Sequence, residues 1–404
     1  MNALGNRIAR LIQAQGPISV AQFMTIALHD PQAGYYATRD PFGTRGDFVT
    51  APEVSQMFGE LLGLWIAQCW LDQGKPEARL VELGPGRGTL MSDALRAISQ
   101  LVPEFLANVE IVLIEASPTL RAIQGNLLST FARVSPPHPA LSPNGGEGES
   151  KESPSSPRSG GEGRGEGAAQ LRWLTQFDDS LADKSLFLIA NEFFDALPVR
   201  QFVKTERGWC ERMVVLDDNG TLAFALAPEA VPPTAIPANR RAAPIGAFYE
   251  VSPASAALAQ QIGEIVAHKG GAALIVDYGY GADSGFGETL QAVSAHKFAS
   301  VLEAPGEADL SAHVDFAALA DAARHGGASV CGPVGQGEFL ISLGIVSRAE
   351  RLASGGSQGR RVHPHLGSAP EIERQLERLV KPDQMGSLFK ALAIMPKGAA
   401  AAAF

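Results

Sequence analysis

The chain has 404 residues, 45% of them hydrophobic and 19% charged, with a formal net charge of −10 and three cysteines. This is a globular composition with ample material for a core, and its acidity argues against a general binder of nucleic acid or anionic membranes. Cys69, Cys210 and Cys331 lie far apart and show no CxxC or His-paired spacing, so unpaired thiols in a reducing compartment are expected, with no metal site.

The first sixteen residues form an amphipathic segment with Arg7 and Arg10 and no acid before Asp30. The pattern resembles a mitochondrial presequence, but Ile8, Leu11 and Ile12 are spaced as in an ordinary surface helix. The expectation is a cytoplasmic chain without a leader, and no apolar run approaches the roughly 18 residues of a membrane span. Pro41, Gly43 and Gly46 then mark a turn-rich stretch, and Thr50-Ala51-Pro52-Glu53 reads as a helix start, with Pro near the first position and an acid in the first turn. Met57, Leu61, Leu64 and Trp65 continue it as an apolar stripe. Residues 1–78 are expected to form an N-terminal helical lid or cap, although a packing helix with close-approach glycines fits the stripe equally well.

Arg79 to Leu90, RLVELGPGRGTL, is the stretch around which the rest is organised. Leu80 to Leu83 has the apolar character of a buried parallel strand, Gly84, Gly86 and Gly88 break it, and Leu90, Ala94, Leu95, Ile98 and Leu101 recur at helical spacing. Glycine suits such a turn because it adopts positive φ and lets backbone N–H groups approach a ligand at the helix N-terminus. Dinucleotide folds prefer G-x-G-x-x-G. Here Glu82 is followed by G-x-G-x-G, which resembles the first motif of class I S-adenosylmethionine (SAM) methyltransferases. Val109 to Ile114 reads as the next strand, and Glu115 at its end is placed to accept hydrogen bonds from ribose hydroxyls.

Residues 135–167 are almost wholly Pro, Gly, Ser, Glu and Arg, and read as a disordered insert that contributes nothing to a site. Leu186 to Ala190 is a buried strand by composition, and Asn191-Glu192-Phe193-Phe194-Asp195 follows at its carboxyl end, where open α/β sheets bind ligands. Two carboxylates, an amide and two aromatics suit methyl transfer to nitrogen, because carboxylates orient a cationic acceptor and aromatic faces sit beside a sulfonium. Residues 199–250 turn to short alternating strands around Asp217-Asp218-Asn219-Gly220, an antiparallel insertion before the fifth strand, Ala272 to Val276. His313 beside Asp315 could form a polar relay, and a lone His is more often a structural hydrogen-bonder. The tail from Gly398 to Phe404 is expected to fray.

Together GDFVTAPEVSQMFGELLG (Gly46 to Gly63), VELGPGRGTL (Val81 to Leu90), NEFFDALPVRQF (Asn191 to Phe202), DYGYG (Asp277 to Gly281), ADLSAHVDF (Ala308 to Phe316) and QGEFLISLGI (Gln336 to Ile345) resemble the MidA-type family of SAM-dependent methyltransferases, which includes the mitochondrial arginine methyltransferases of complex I assembly. The resemblance implies a class I, Rossmann-like α/β fold: a doubly wound sheet spanning 79–404 with an antiparallel strand, SAM as cofactor, and an arginine-bearing protein as partner. It places Glu82, Gly84, Gly86, Gly88 and Glu115 on the cofactor. Glu192, Asn191 and Asp195 are the candidate catalytic residues. A non-catalytic SAM-binding assembly chaperone is a second reading, and an NAD-dependent oxidoreductase is a third that the glycine spacing disfavours.

Overall fold

The computed structural model of the protein describes residues 1–38, 50–134, 169–281, 287–294, 296–355 and 368–404. The chain begins with α1 (Ala3–Gln15), β1 (Ile18–Ser19), α2 (Val20–His29) and α3 (Tyr35–Thr38). Asn2 and Ser19 cap α1 and α2 by accepting first-turn N–H groups. After the undescribed residues 39–49 come α4 (Ala51–Val54) and α5 (Gln56–Asp72), separated by an extended Ser55.

Then follow β2 (Ala78–Leu83), α6 (Thr89–Leu101), α7 (Pro103–Asn108), β3 (Val109–Ile114), α8 (Pro118–Leu128) and β4 (Ala132–Val134). The predicted insert, 135–167, lies outside the described residues. Beyond it are β5 (Ala169–Leu174), β6 (Ser185–Asn191), and the antiparallel insertion of β7 (Arg200–Thr205), β8 (Gly208–Leu216), β9 (Leu222–Ala230) and β10 (Phe248–Val251). The hairpin signal holds: Asp217 Oδ1 accepts from Asn219 N and Thr221 N, and Gly220 takes φ +74°. The chain closes with α9 (Pro253–Lys269), β11 (Gly271–Tyr280), β12 (Gln291–Ser294), β13 (Lys297–Ala299), β14 (Asp309–Ser311), β15 (Val314–Asp315), α10 (Phe316–His325), β16 (Ser329–Gly335), α11 (Gln336–Ser342), α12 (Ile345–Gly355), α13 (Ala369–Val380) and β17 (Phe389–Met395).

The main sheet runs β16-β17-β11-β6-β2-β3-β5-β4, with β15 beside β11. From β11 to β4 the strands are parallel, while β17 is antiparallel to both β11 and β16. This is the doubly wound sheet expected from the sequence. All six residues of β2 are buried, so apolar side chains occupy both faces of the strand, with Arg79 and Glu82 as its two charged residues. Chain order reverses between β2 and β6, so a crevice opens at the carboxyl ends of these two neighbours.

Residues 1–78 do not pack as one cap. The apolar faces of α1 and α2 (Leu4, Ile8, Phe23, Met24, Leu28) join Val214 of the insertion in a core of their own, and β1 pairs with β8. By contrast α5 is buried nearly all round, in the core shared with the main sheet. Its glycines permit close helix contact: a Cβ at Gly59 would stand 2.8 Å from Asp93 Cβ, and one at Gly63 would stand 2.6 Å from Ala94 Cα. The packing-helix reading is therefore the physical one for α5. The tail does not fray either, because Trp65 Nε1 donates to Ala402 O at 3.0 Å and the Phe404 ring lies 5.0 Å from that of Phe339.

Candidate active site

The crevice between β2 and β6 holds a cavity open to solvent, walled by Glu82, Gly84 and Gly86 on one side and by Asn191 and Glu192 on the other. Thr50 and Glu53 close a third side, and Thr89 Oγ1 donates to Glu53 Oε1 at 2.6 Å. The turn after β2 holds Gly84, Gly86 and Gly88 at φ +59°, +54° and +85°, all left-handed, as the sequence spacing implied. At Gly84 a second reason applies, since an added Cβ would sit 2.8 Å from the Phe193 ring.

Glu82 is 3% exposed, and its Oε2 has no hydrogen-bond partner. Burial, followed by the charge of Glu115, pushes its carboxyl up to about 8. Glu115 stands just past β3. Its Oε1 accepts from Ser117 N at 2.8 Å and its Oε2 from Gln124 Nε2 at 3.2 Å, and it is not among the described residues lining the cavity. Gln124 also donates to Gly86 O at 2.7 Å and accepts from Trp173 Nε1 at 2.8 Å. It is fully buried and ties the glycine turn to Glu115, a role no local motif announced.

On the opposite wall the chain leaves β6 with Glu192 N donating to Val276 O at 2.9 Å, and Glu192 itself adopts φ +49°. For a side chain with Cβ this is a strained conformation, kept only where surroundings impose it. Glu192 Oε1 accepts from Ala51 N and from Asn191 Nδ2, each at 3.2 Å. Burial and then the charge of Asp195 push the Glu192 carboxyl up to about 7. Asn191 Oδ1 is buried without a partner.

Asp195, expected beside Glu192 at the acceptor, is directed elsewhere. Its Oδ2 accepts from the Tyr278 hydroxyl at 2.5 Å and its backbone oxygen from Ala312 N at 3.0 Å, behind the turn rather than in the cavity wall. The relay between His313 and Asp315 is not formed among the described contacts: Asp315 caps Ala318 N at 3.0 Å, and the His313 ring packs 5.6 Å from that of Tyr278. Among the described residues no His, Cys, Asp or Glu cluster has the geometry to hold a metal, and no helix is long and apolar enough to cross a membrane.

Two orphaned acceptors, Glu82 Oε2 and Asn191 Oδ1, face the same crevice as a third acceptor group, Glu192. Such a wall suits a ligand rich in N–H donors and positive charge.

A model of a family described as S-adenosyl-L-methionine-dependent methyltransferases matches residues 61–334. The protein named protein arginine methyltransferase NDUFAF7, mitochondrial, of Danio rerio is 37% identical, covering 96% of this chain and 86% of the relative. Its Homo sapiens counterpart is also 37% identical, over 95% of this chain and 81% of its own. Among solved structures, a superfamily member from Burkholderia thailandensis bound to S-adenosyl-homocysteine aligns with a TM-score of 0.79 at 28% identity, covering 99% of this chain and 94% of that one. These relatives correct one expectation: a cytoplasmic location was read from the surface-helix spacing of Ile8, Leu11 and Ile12, whereas the matched arginine methyltransferases are named as mitochondrial. An amphipathic segment carrying arginines suits a presequence and a packed helix alike, so that spacing had no power to separate the two locations.

Proposed function

The chain belongs to the family of S-adenosyl-L-methionine-dependent methyltransferases, and we propose that it methylates an arginine nitrogen on a partner protein with Glu192 as its catalytic carboxylate. The observation that carries this reading is a cleft bounded by Glu82, which is buried, and Glu192, which is half-buried, two acids with raised proton affinity and no ion pair among the described residues. The names of the curated relatives support arginine as the acceptor.

The residues fit the cofactor. Glu82 and Asn191 offer unpartnered acceptors for an ammonium group, the left-handed glycines give backbone access, and Glu115 has lone pairs for ribose hydroxyls. When bound, the cofactor supplies an electrophilic methyl group on a sulfonium sulfur. A guanidinium is protonated at neutral pH and its lone pairs are delocalised, so it is a poor nucleophile until positioned. Glu192 grips its N–H groups, localises charge away from the attacking nitrogen, and takes the proton lost as the nitrogen–carbon bond forms and the carbon–sulfur bond breaks. A carboxyl pushed up to about 7 is matched to that task near neutral pH. Asn191 holds Glu192 through its Nδ2 and keeps its oxygen for a cationic ligand.

The test is mass spectrometry of methylated peptides from cells with and without the protein. The expected result is at least one methylarginine peptide that disappears on deletion and returns with the intact gene. Disappearance of methyl-lysine alone, or of no methyl mark on protein, overturns the acceptor.

A further inference from the structure

We propose that Asp277, a residue outside the cavity, is the positioning residue that imposes the strained backbone of Glu192 and thereby aims its carboxylate. The inference rests on the reading of Glu192 as the catalytic carboxylate and adds how it is held. Asp277 lies on β11 and is wholly buried. Its strand neighbours fix it on both sides: Val276 is in register with Asn191 of β6, and Asp277 itself with Lys390 of β17. Its Oδ2 accepts three consecutive backbone N–H groups, from Phe193 at 3.2 Å, Phe194 at 3.0 Å and Asp195 at 3.2 Å. Its Oδ1 accepts from Tyr278 N at 2.9 Å.

Three successive N–H groups converge on one oxygen only where the backbone turns into a concave nest, and a nest is a natural seat for a carboxylate. Here the turn begins at Glu192, whose φ of +49° swings the next three amides inward. The carboxylate and the left-handed residue therefore need each other. Without an acceptor at Oδ2 the three amides would be buried and unpaired, and the chain would relax Glu192 out of its strained region. Asp277 does not reach the substrate side, since its oxygens are engaged by backbone and it is not among the described cavity residues. Burial, with the charges of Asp195 and Glu192, raises its proton affinity well above an ordinary carboxyl, and the four N–H groups oppose this. A like-charged group is an expensive choice so near the site, which its three-amide grip explains.

The experiment compares Asp277→Asn and Asp277→Ala in the full chain, each alone and combined with Glu192→Gln. Three quantities are read: hydrogen exchange of the amides of residues 193–195, S-adenosyl-homocysteine affinity by calorimetry, and the initial rate of labelled methyl transfer from SAM into a lysate of cells lacking the protein. Asp277→Ala is expected to speed that exchange and to slow transfer by about 10²-fold, the scale of a misplaced reacting group. Cofactor affinity falls by far less than the rate, because Glu82 and Glu115 keep their places and only the Phe193 ring adjoins the glycine turn. Asp277→Asn, which keeps one oxygen for the three amides, recovers about tenfold of the lost rate. In the Glu192→Gln background Asp277→Ala costs no further rate, the signature of action through Glu192. Unchanged exchange, or rate losses that multiply in the double variant, overturns the proposal. If Asp277→Ala fails to fold, Asp277→Asn carries both readings. If Glu192→Gln alone transfers at the normal rate, the catalytic reading falls, and the exchange arm still decides whether Asp277 holds the turn.

Discussion

Glu60 and Glu82 are equally hidden, each 3% exposed, but their surroundings are opposite. Glu60 on α5 sits between two guanidinium groups, with Arg96 at 2.6 Å and Arg348 at 2.7 Å, and ties α5 to α6 and α12. Glu82 on β2 has no cation within ion-pair distance among the described residues and leaves one oxygen without any partner. A buried acid with its counter-charges built in is a joint between helices. A buried acid without them is destabilising in the free protein and becomes favourable only when something cationic arrives. Glu192 belongs with Glu82, since its contacts are one amide side chain and one backbone N–H. The difference separates what the fold needs from what the reaction needs.

The contrast can be broken by variants, beginning with the largest effect. Glu192→Gln preserves size and removes charge, so methyl transfer should fall by about 10²-fold or more while cofactor affinity persists. A parallel loss of affinity in calorimetry would move Glu192 from the acceptor to the cofactor. Glu82→Gln should weaken S-adenosyl-homocysteine binding by about 1.5–3 kcal/mol, the worth of a hydrogen bond to a charged group, without lowering the melting temperature of the free protein. A lower melting temperature would show that Glu82 supports the fold after all. Glu60→Ala should do the converse, losing about 2 kcal/mol in a urea titration with cofactor affinity unchanged. That is below the roughly 3–5 kcal/mol of a fully buried pair, because Arg96 and Arg348 are about a third exposed and can turn to water.

The smallest effect is a pH dependence that only the unpaired acid should show. In the native, ligand-free protein Glu82 keeps its proton up to about 8, whereas the unfolded chain sheds it near 4.5. Between these values the native state binds more protons, so this group's contribution to stability declines as pH rises through the window. A cationic cofactor reverses the preference by favouring the ionised form. Affinity should therefore climb with pH, by at most about tenfold per unit, and level off above about 8. Calorimetry in buffers of different ionisation enthalpy would detect the released proton, and a flat affinity profile from pH 5 to 8 would remove Glu82 from the ammonium site.

The sheet, its glycine turn and the insertion were legible because each leaves a local trace. Leu186 to Ala190 is a continuous apolar run, Leu80 to Leu83 is apolar but for Glu82, and Asp217 to Gly220 carries its own turn chemistry. Glu82, Glu192 and Asn191 were found at strand ends where the topology makes ligands bind, and they do face one cavity. What stayed hidden was direction and distance. Nothing near Asp195 in sequence says that its side chain turns to Tyr278, which is 83 positions away. Gln124 and Asp277 act through contacts to Gly86 and Phe193 that only the folded chain supplies. The division of residues 1–78 escaped for the same reason, since periodicity shows that α1 and α5 each have apolar surface but not which core receives it.

That division has a consequence for how the chain is made. Ile18 and Ser19 leave the ribosome early, yet their partners in the ladder, Val214 and Met213, are synthesised roughly 200 residues later. At about 5–20 residues per second the wait is on the order of 10–40 s. Throughout it Ile8, Phe23, Met24 and Leu28, all buried in the finished fold, lack the part of their core that Val199 and Val214 later supply. Synonymous codons that slow translation before residue 213 should therefore raise the aggregated fraction in a pelleting assay without altering a single side chain.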